Sequence, residues 1–210
     1  MNNAPAKNST SIHTRKLWAG FFTGIILGFT VVAFGHGFRI GDEVAIRQTL
    51  LNTAHVSFFL FLVPMIARPL RDLNKNAISS YLVKNRSVFG LAFAGNHLWH
   101  LAFIVLLYQV SHEQPEPLAV LIGGSFGFLY LAAMAIFSFP APIRLIGAKK
   151  TKLLHQLAFY YLVGVFFYDI VLRNLETPNP VLWVLFWSAI ALRLLSWAST
   201  YFRKEPVIDS

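Results

Sequence analysis

The chain has 210 residues, 56% of them hydrophobic and only 13% charged, with a mean hydropathy of +0.56. That composition excludes an ordinary soluble domain and points to an integral membrane protein. Cysteine is absent, which removes disulfides, thiolate-ligated haem, iron–sulfur clusters and thiol catalysis. The formal charge of +9 is interleaved with apolar runs and forms no aromatic-rich basic patch, so no nucleic-acid partner is expected.

Along the chain, residues 1–14 read as a short disordered arm with an inert His13. Six apolar runs follow, at 17–34, 49–67, 88–110, 118–139, 153–172 and 181–198. Each holds roughly the 17–25 residues a spanning helix needs, and none shows the alternation of a barrel strand. The first run follows Arg15 and Lys16 but lacks a small-residue cleavage site, so it is expected to stay as a permanent helix. The expected fold is therefore all-α, an integral membrane six-helix bundle over residues 15–202 with a short tail at 203–210. Pro115 and Pro117, Pro140 and Pro142, and Pro178 and Pro180 are expected at helix ends. The longest internal connection is expected between Arg68 and Arg86.

Charge sets the expected orientation. Lys7, Arg15 and Lys16 precede the first run. Arg68, Arg71, Lys75, Lys84 and Arg86 lie between the second and third, Arg144, Lys149, Lys150 and Lys152 between the fourth and fifth, and Arg203 and Lys204 after the sixth. The alternate connections hold only Arg39, Arg47 and Arg173, with five acidic residues. Cytoplasmic loops carry the positive excess, so both termini are expected in the cytoplasm and the basic loops against anionic lipid head groups.

Three histidines stand out. His97 and His100 interrupt the third run and His155 opens the fifth, and an ionisable ring inside a membrane span marks a functional site unless something satisfies it. Neutral imidazoles on facing helices of an apolar bundle can hold a haem between them. His97 and His100, three residues apart, share one helix face and cannot occupy opposite sides of one iron. One of them is expected to ligate while the other hydrogen-bonds a propionate or its neighbour. At about 1.5 Å per residue, His97 lies roughly 14 Å beyond Val88 and His100 roughly 18 Å, whereas His155 is only a few ångströms beyond Leu153. A fifth helix that starts near Lys149, or a tilt of either helix, brings His155 toward the level of His97 first, which makes His97 the first choice as its partner. The bland alternative is that the histidines only cross-link helices. It is retained for His55, in the outer third of the second run, and for His36 and His112 at outer ends. Arg193, inside the sixth run, is expected either to neutralise a haem propionate or to belong to a stripe reaching the helix end. Asp169 is expected to be hydrated, and Trp183 and Trp187 to join an interfacial belt.

The segments KNRSVFGLAFAGNHLWHLAF, residues 84–103, and KLLHQLAFYYLVGVFF, residues 152–167, resemble the basic-LGL-histidine and LHRL-type motifs of the ferric reductase-like transmembrane domain family. That family includes membrane domains of NADPH oxidases and metalloreductases and the haem-binding subunit of the methionine sulfoxide reductase system. The resemblance spans the six-helix core. It implies a membrane b-type cytochrome in which His97 or His100, together with His155, ligates haem b and its iron. Two-haem members carry a second histidine about thirteen residues further along helix five, where this chain has Tyr168, so one haem is expected. Gln156 stands where an arginine is common. Nothing resembles the family's flavin and nicotinamide domain, so electrons are expected from a separate flavoprotein or quinol. The implied setting is a bacterial inner membrane. No catalytic residue is assigned, and a haem-free scaffold or small transporter with structural or proton-relaying histidines is the alternative.

Overall fold

The computed structural model describes residues 5–35, 39–111, 116–173, 175 and 179–202. His36, His112, Glu113, Pro115, Glu176, Pro178, Arg203, Lys204 and the tail at 203–210 lie outside the described residues. Seven α-helices are present among those described: α1 (Pro5–Phe34), α2 (Glu43–Leu73), α3 (Ala77–Val110), α4 (Leu118–Ile136), α5 (Pro140–Ile146), α6 (Ala148–Phe167) and α7 (Pro180–Phe202). All except the short α5 are long and apolar enough to cross a membrane, and the chain is a multi-pass membrane protein.

Two expectations are corrected at the helix ends. The arm expected to be disordered as far as residue 14 is helical from Pro5, a residue whose fixed φ suits a first helical position. The connection expected between Arg68 and Arg86 shrinks to residues 74–76, because α2 runs on to Leu73 and α3 begins at Ala77. Local chemistry ends both helices there. The Asn74 N–H bonds back to the Leu70 carbonyl, and Asn76 and Ser79 form a reciprocal capping box. At the far end of α2, Asp42 caps the Val44 and Ala45 N–H groups. Gly147, at φ 84°, makes the turn between α5 and α6.

α3 is the central helix. It packs along α1 on one side and α2 on the other, while α7 lies against α2 and α4 against α6. The α1–α3 seam is made by glycines. A Cβ on Gly20 would stand 2.6 Å from the Val88 carbonyl oxygen, and one on Gly24 would overlap the Ala92 carbonyl. Gly95 returns the same close approach from α3, under Phe21 and Ile25. Lipid tails supply no hydrophobic drive between helices, so such seams gain from backbone proximity. The other interior is aromatic: Phe58, Phe61 and Met65 of α2, Phe93 of α3, Phe166 of α6 and Phe186 of α7 are buried in one cluster. Phe22, Ile26 and Phe29 of α1 and Leu194 and Trp197 of α7 face outward.

Pro64 and Pro69 sit inside α2. A proline deprives the carbonyl four residues earlier of its helical donor, and for Pro69 that carbonyl belongs to Met65. Arg193 of α7 supplies a replacement, with Nη1 3.1 Å from the Met65 oxygen. The last turn of α6 widens into a π-helical segment, Tyr168–Leu172, and Trp183 Nε1 donates to the Ile170 carbonyl there at 2.9 Å. Such buried polar bonds are the usual means of satisfying irregular backbone at membrane depth.

Candidate functional site

The site is a polar seam between α2 and α3. Thr49, Thr53 and Ser57 recur every fourth residue on α2 and are wholly inaccessible to solvent, so one stripe of hydroxyl groups faces α3. Across from it stand Asn96, His97 and His100. His97 Nδ1 is 2.7 Å from Ser57 Oγ, and His100 Nδ1 is 3.0 Å from Thr53 Oγ1. Asn96 Nδ2 donates to the Thr53 carbonyl at 3.0 Å and to Ser57 Oγ at 2.7 Å. Trp99, the remaining residue of the set, turns to α1 and donates through Nε1 to the Ile25 carbonyl at 2.9 Å.

Counting protons separates the two rings. Thr53 has one hydroxyl hydrogen, and the Thr49 and Leu50 carbonyls both accept from it at 2.9 Å. With that hydrogen assigned to a backbone carbonyl, Thr53 accepts from His100, which places a proton on His100 Nδ1 and leaves the Nε2 lone pair free. The donation to the Thr53 carbonyl fixes the Asn96 amide, so Ser57 Oγ accepts from Asn96. Its own hydrogen has His97 Nδ1 as the acceptor among the described residues, and the His97 proton accordingly sits on Nε2. His100 presents an acceptor and His97 a donor. Asn96 Oδ1 is buried without a hydrogen-bond partner.

The two imidazoles lie together, ring centroids 5.0 Å apart, beneath Phe128 of α4 at 5.1 Å from His97 and 6.5 Å from His100. Phe93 closes the inner side at 4.8 Å from His97. Both histidines are half-buried although their backbone neighbours on α2 are sealed.

His155 does not join them. Its Nδ1 donates to the Thr151 carbonyl at 2.9 Å, and Ser138 Oγ is 3.5 Å from Nε2. Ser138 donates its own hydrogen to Met134, so His155 Nε2 also keeps a lone pair. α4 measures the separation. Phe128 marks the level of His97 and His100, and Ser138, about ten residues on, marks that of His155, a difference of about 15 Å along the bundle. On α6 the Phe128 level belongs instead to Tyr161, whose hydroxyl donates to the Gly123 carbonyl at 2.6 Å and whose ring is 5.0 Å from Tyr130. The α6 helix does begin near Lys149, as the alignment of His155 with His97 requires, but the depth difference survives. No group of three or more histidine, aspartate or glutamate side chains converges as a metal site among the described residues.

Arg193 is engaged elsewhere. Besides its bond to Met65, its guanidinium lies 4.6 Å over the Phe159 ring and 5.7 Å from that of Tyr160, a stacked arrangement favourable for arginine. It joins α2, α6 and α7 and touches neither His97 nor His100. His55 is half-buried on another face of α2 from the hydroxyl stripe. At the opposite end of the bundle Arg173 pairs with Glu116.

Set against a haem, the donor chemistry divides. An imidazole held at Nδ1 by a second group, with Nε2 left as a lone pair, is the state in which histidine binds a metal, and His100 and His155 each meet that description. His155, expected from the sequence to act together with His97 or His100, lies about 15 Å from that seam in depth. The hydroxyl partners Thr53 and Ser57 were not singled out from the sequence, although their four-residue spacing with Thr49 is visible in it. No family model, curated protein or solved structure matches the chain.

Proposed function

We propose that the chain is a membrane b-type cytochrome subunit, similar to ferric reductase-like domains, that binds haem through His100 and passes single electrons between a separate donor and an acceptor. The observation that carries this reading is the hydrogen-bond arrangement of the seam: Thr53 Oγ1 holds His100 at Nδ1, so that Nε2 lies on the edge away from that bond. The motif resemblance of residues 84–103 and 152–167 supports the same reading. Haem would supply reversible one-electron chemistry. The residues supply the setting: Thr53 orients the His100 ring and raises its basicity as a ligand, His97 offers an Nε2–H donor beside it, and Phe93 and Phe128 exclude water. A donor of the flavoprotein or quinol class, cytoplasmic termini and a bacterial inner membrane belong to this proposal, on the strength of the charge asymmetry between the loops.

A second reading is favoured by the depth of His155. Each of the three Nδ1 atoms is satisfied within the protein, so the histidines can serve as hydrogen-bonded cross-links in a haem-free scaffold. One experiment separates the two. A dithionite-reduced minus oxidised spectrum is recorded on protein purified from haem-replete cells, for the parent chain and for His97→Ala, His100→Ala, His100→Gln and His155→Ala. The cytochrome reading predicts a b-type spectrum that is lost in both His100 variants, with bound haem persisting in His155→Ala. A parent chain without visible absorption establishes the scaffold reading.

A further inference from the structure

The tip of the α2–α3 hairpin gathers three arginines, of which only Arg71 has an acidic partner among the described residues. Arg68 and Arg71 are three residues apart on α2 and so share a face. The register that pairs Ser57 with His97 and Thr53 with His100 carries Arg86 of α3 to the level of Arg68. The charges of both α2 arginines act on Arg86. Among the described residues, Arg68 and Arg86 make no ion pair and no side-chain hydrogen bond. Arg71 has one acid near it, Asp72 at 3.9 Å, which also accepts from Ser196 at 3.4 Å. Like charges held together by a rigid, doubly capped hairpin repel unless an anion sits among them. Arginine forks match phosphate oxygens in particular, and this tip lies where the apolar length of both helices ends.

We infer that Arg68, Arg71 and Arg86 form a binding site for a phosphate-bearing anion at the membrane surface, with the phosphodiester of an acidic phospholipid as its source. This stands apart from the haem reading, since none of the three arginines contacts the histidine seam. Lys75 and Lys84 flank the hairpin as ordinary exposed cations and serve as the internal control.

The test is native mass spectrometry of the full chain in mild detergent, with dioleoylphosphatidylglycerol or dioleoylphosphatidylcholine added at equal concentration. The parent chain should retain the anionic phosphatidylglycerol preferentially, and R68Q/R86Q should reduce that retention by about tenfold or more. K75Q/K84Q, which loses the same formal charge, should retain it as the parent does. Thermal melting of each variant establishes that the fold survives. Added inorganic phosphate distinguishes the sources: displacement of the lipid shows a site for phosphate of either origin, and its persistence shows a lipid site. Equal retention by R68Q/R86Q and the parent overturns the inference. So does an equal loss in K75Q/K84Q, which would reduce the effect to general charge.

Discussion

Arg193 Nη1 donates to the Met65 carbonyl at 3.1 Å, the one carbonyl of α2 that Pro69 leaves without its helical N–H. A break in one helix is thus closed by a side chain from another, and α7 is attached to α2 at that point. Arg193→Leu should destabilise the protein by about 1–3 kcal/mol, because it leaves a buried acceptor unsatisfied and removes the stacking on Phe159. In a Pro69→Ala background the backbone donor returns, and the same substitution should cost about 1 kcal/mol less. Thermal or denaturant melts of the four proteins in detergent measure the coupling. Strict additivity would show that the arginine acts independently of the proline.

The glycine seam predicts a graded series. Gly24→Ala places a methyl group into the Ala92 carbonyl, and Gly20→Ala one at 2.6 Å from the Val88 oxygen, whereas a Cβ on Gly90 or Gly124 meets nothing within 4 Å. Overpacking at Gly24 should cost about 1–3 kcal/mol. Gly90→Ala should be neutral or stabilising by up to about 1 kcal/mol, since glycine is the poorer helix former. A loss at Gly90 equal to that at Gly24 would mean that close contact does not set the cost at this seam, since open space and better helix propensity both predict no loss there.

The opposite tautomers of His97 and His100 are directly observable. In bilayers, nitrogen NMR of histidine-labelled protein should show His100 protonated at Nδ1 and His97 at Nε2. Thr53→Val removes the acceptor that holds His100 while leaving the volume nearly unchanged. It should cost about 0.6–1.7 kcal/mol, the range of hydrogen bonds between membrane helices, and mix the His100 tautomers without altering His97. Ser57→Ala should do the converse. Two rings of the same tautomer in the parent chain would remove the basis for choosing His100 as the ligand.

The span pattern was legible because a bilayer imposes one length and one backbone form on every crossing. Helix ends were less so: α2 and α3 continue beyond their apolar runs to the caps at Asn74 and Asn76, where polar residues replace lipid-facing ones without interrupting the hydrogen-bond ladder. The importance of His97 and His100 could be read from their cost in lipid, yet their partners could not, since nothing local announces that Thr53 and Ser57 will meet them across forty or more residues. Distance counted from the edge of an apolar run already set His155 at a shallower depth. The adjustment that would have aligned it with His97 is removed by Ser138 and Tyr161, which tie α6 to α4 in a different register. The glycine spacing 20, 24, 28 was present in the sequence as a contact signal but does not name the helix it contacts.

Absence of cysteine makes the crossing order testable with single introduced thiols. Ser11 and Asn74 flank opposite ends of the α1–α2 pair in sequence but emerge at one face if both helices cross, and Ser111, at the end of α3, emerges at the other. In sealed inside-out vesicles, Ser11→Cys and Asn74→Cys should react with a membrane-impermeant maleimide, while Ser111→Cys should react only after the vesicles are opened. The positive excess on the Ser11 and Asn74 side is the ground for expecting that side in the cytoplasm. In right-side-out vesicles the pattern should invert. Labelling of Ser11→Cys and Asn74→Cys from opposite sides would require that one of α1 and α2 lie along the membrane rather than across it, and the shared level of the glycine seam and the hydroxyl seam on α3 would then need a different explanation.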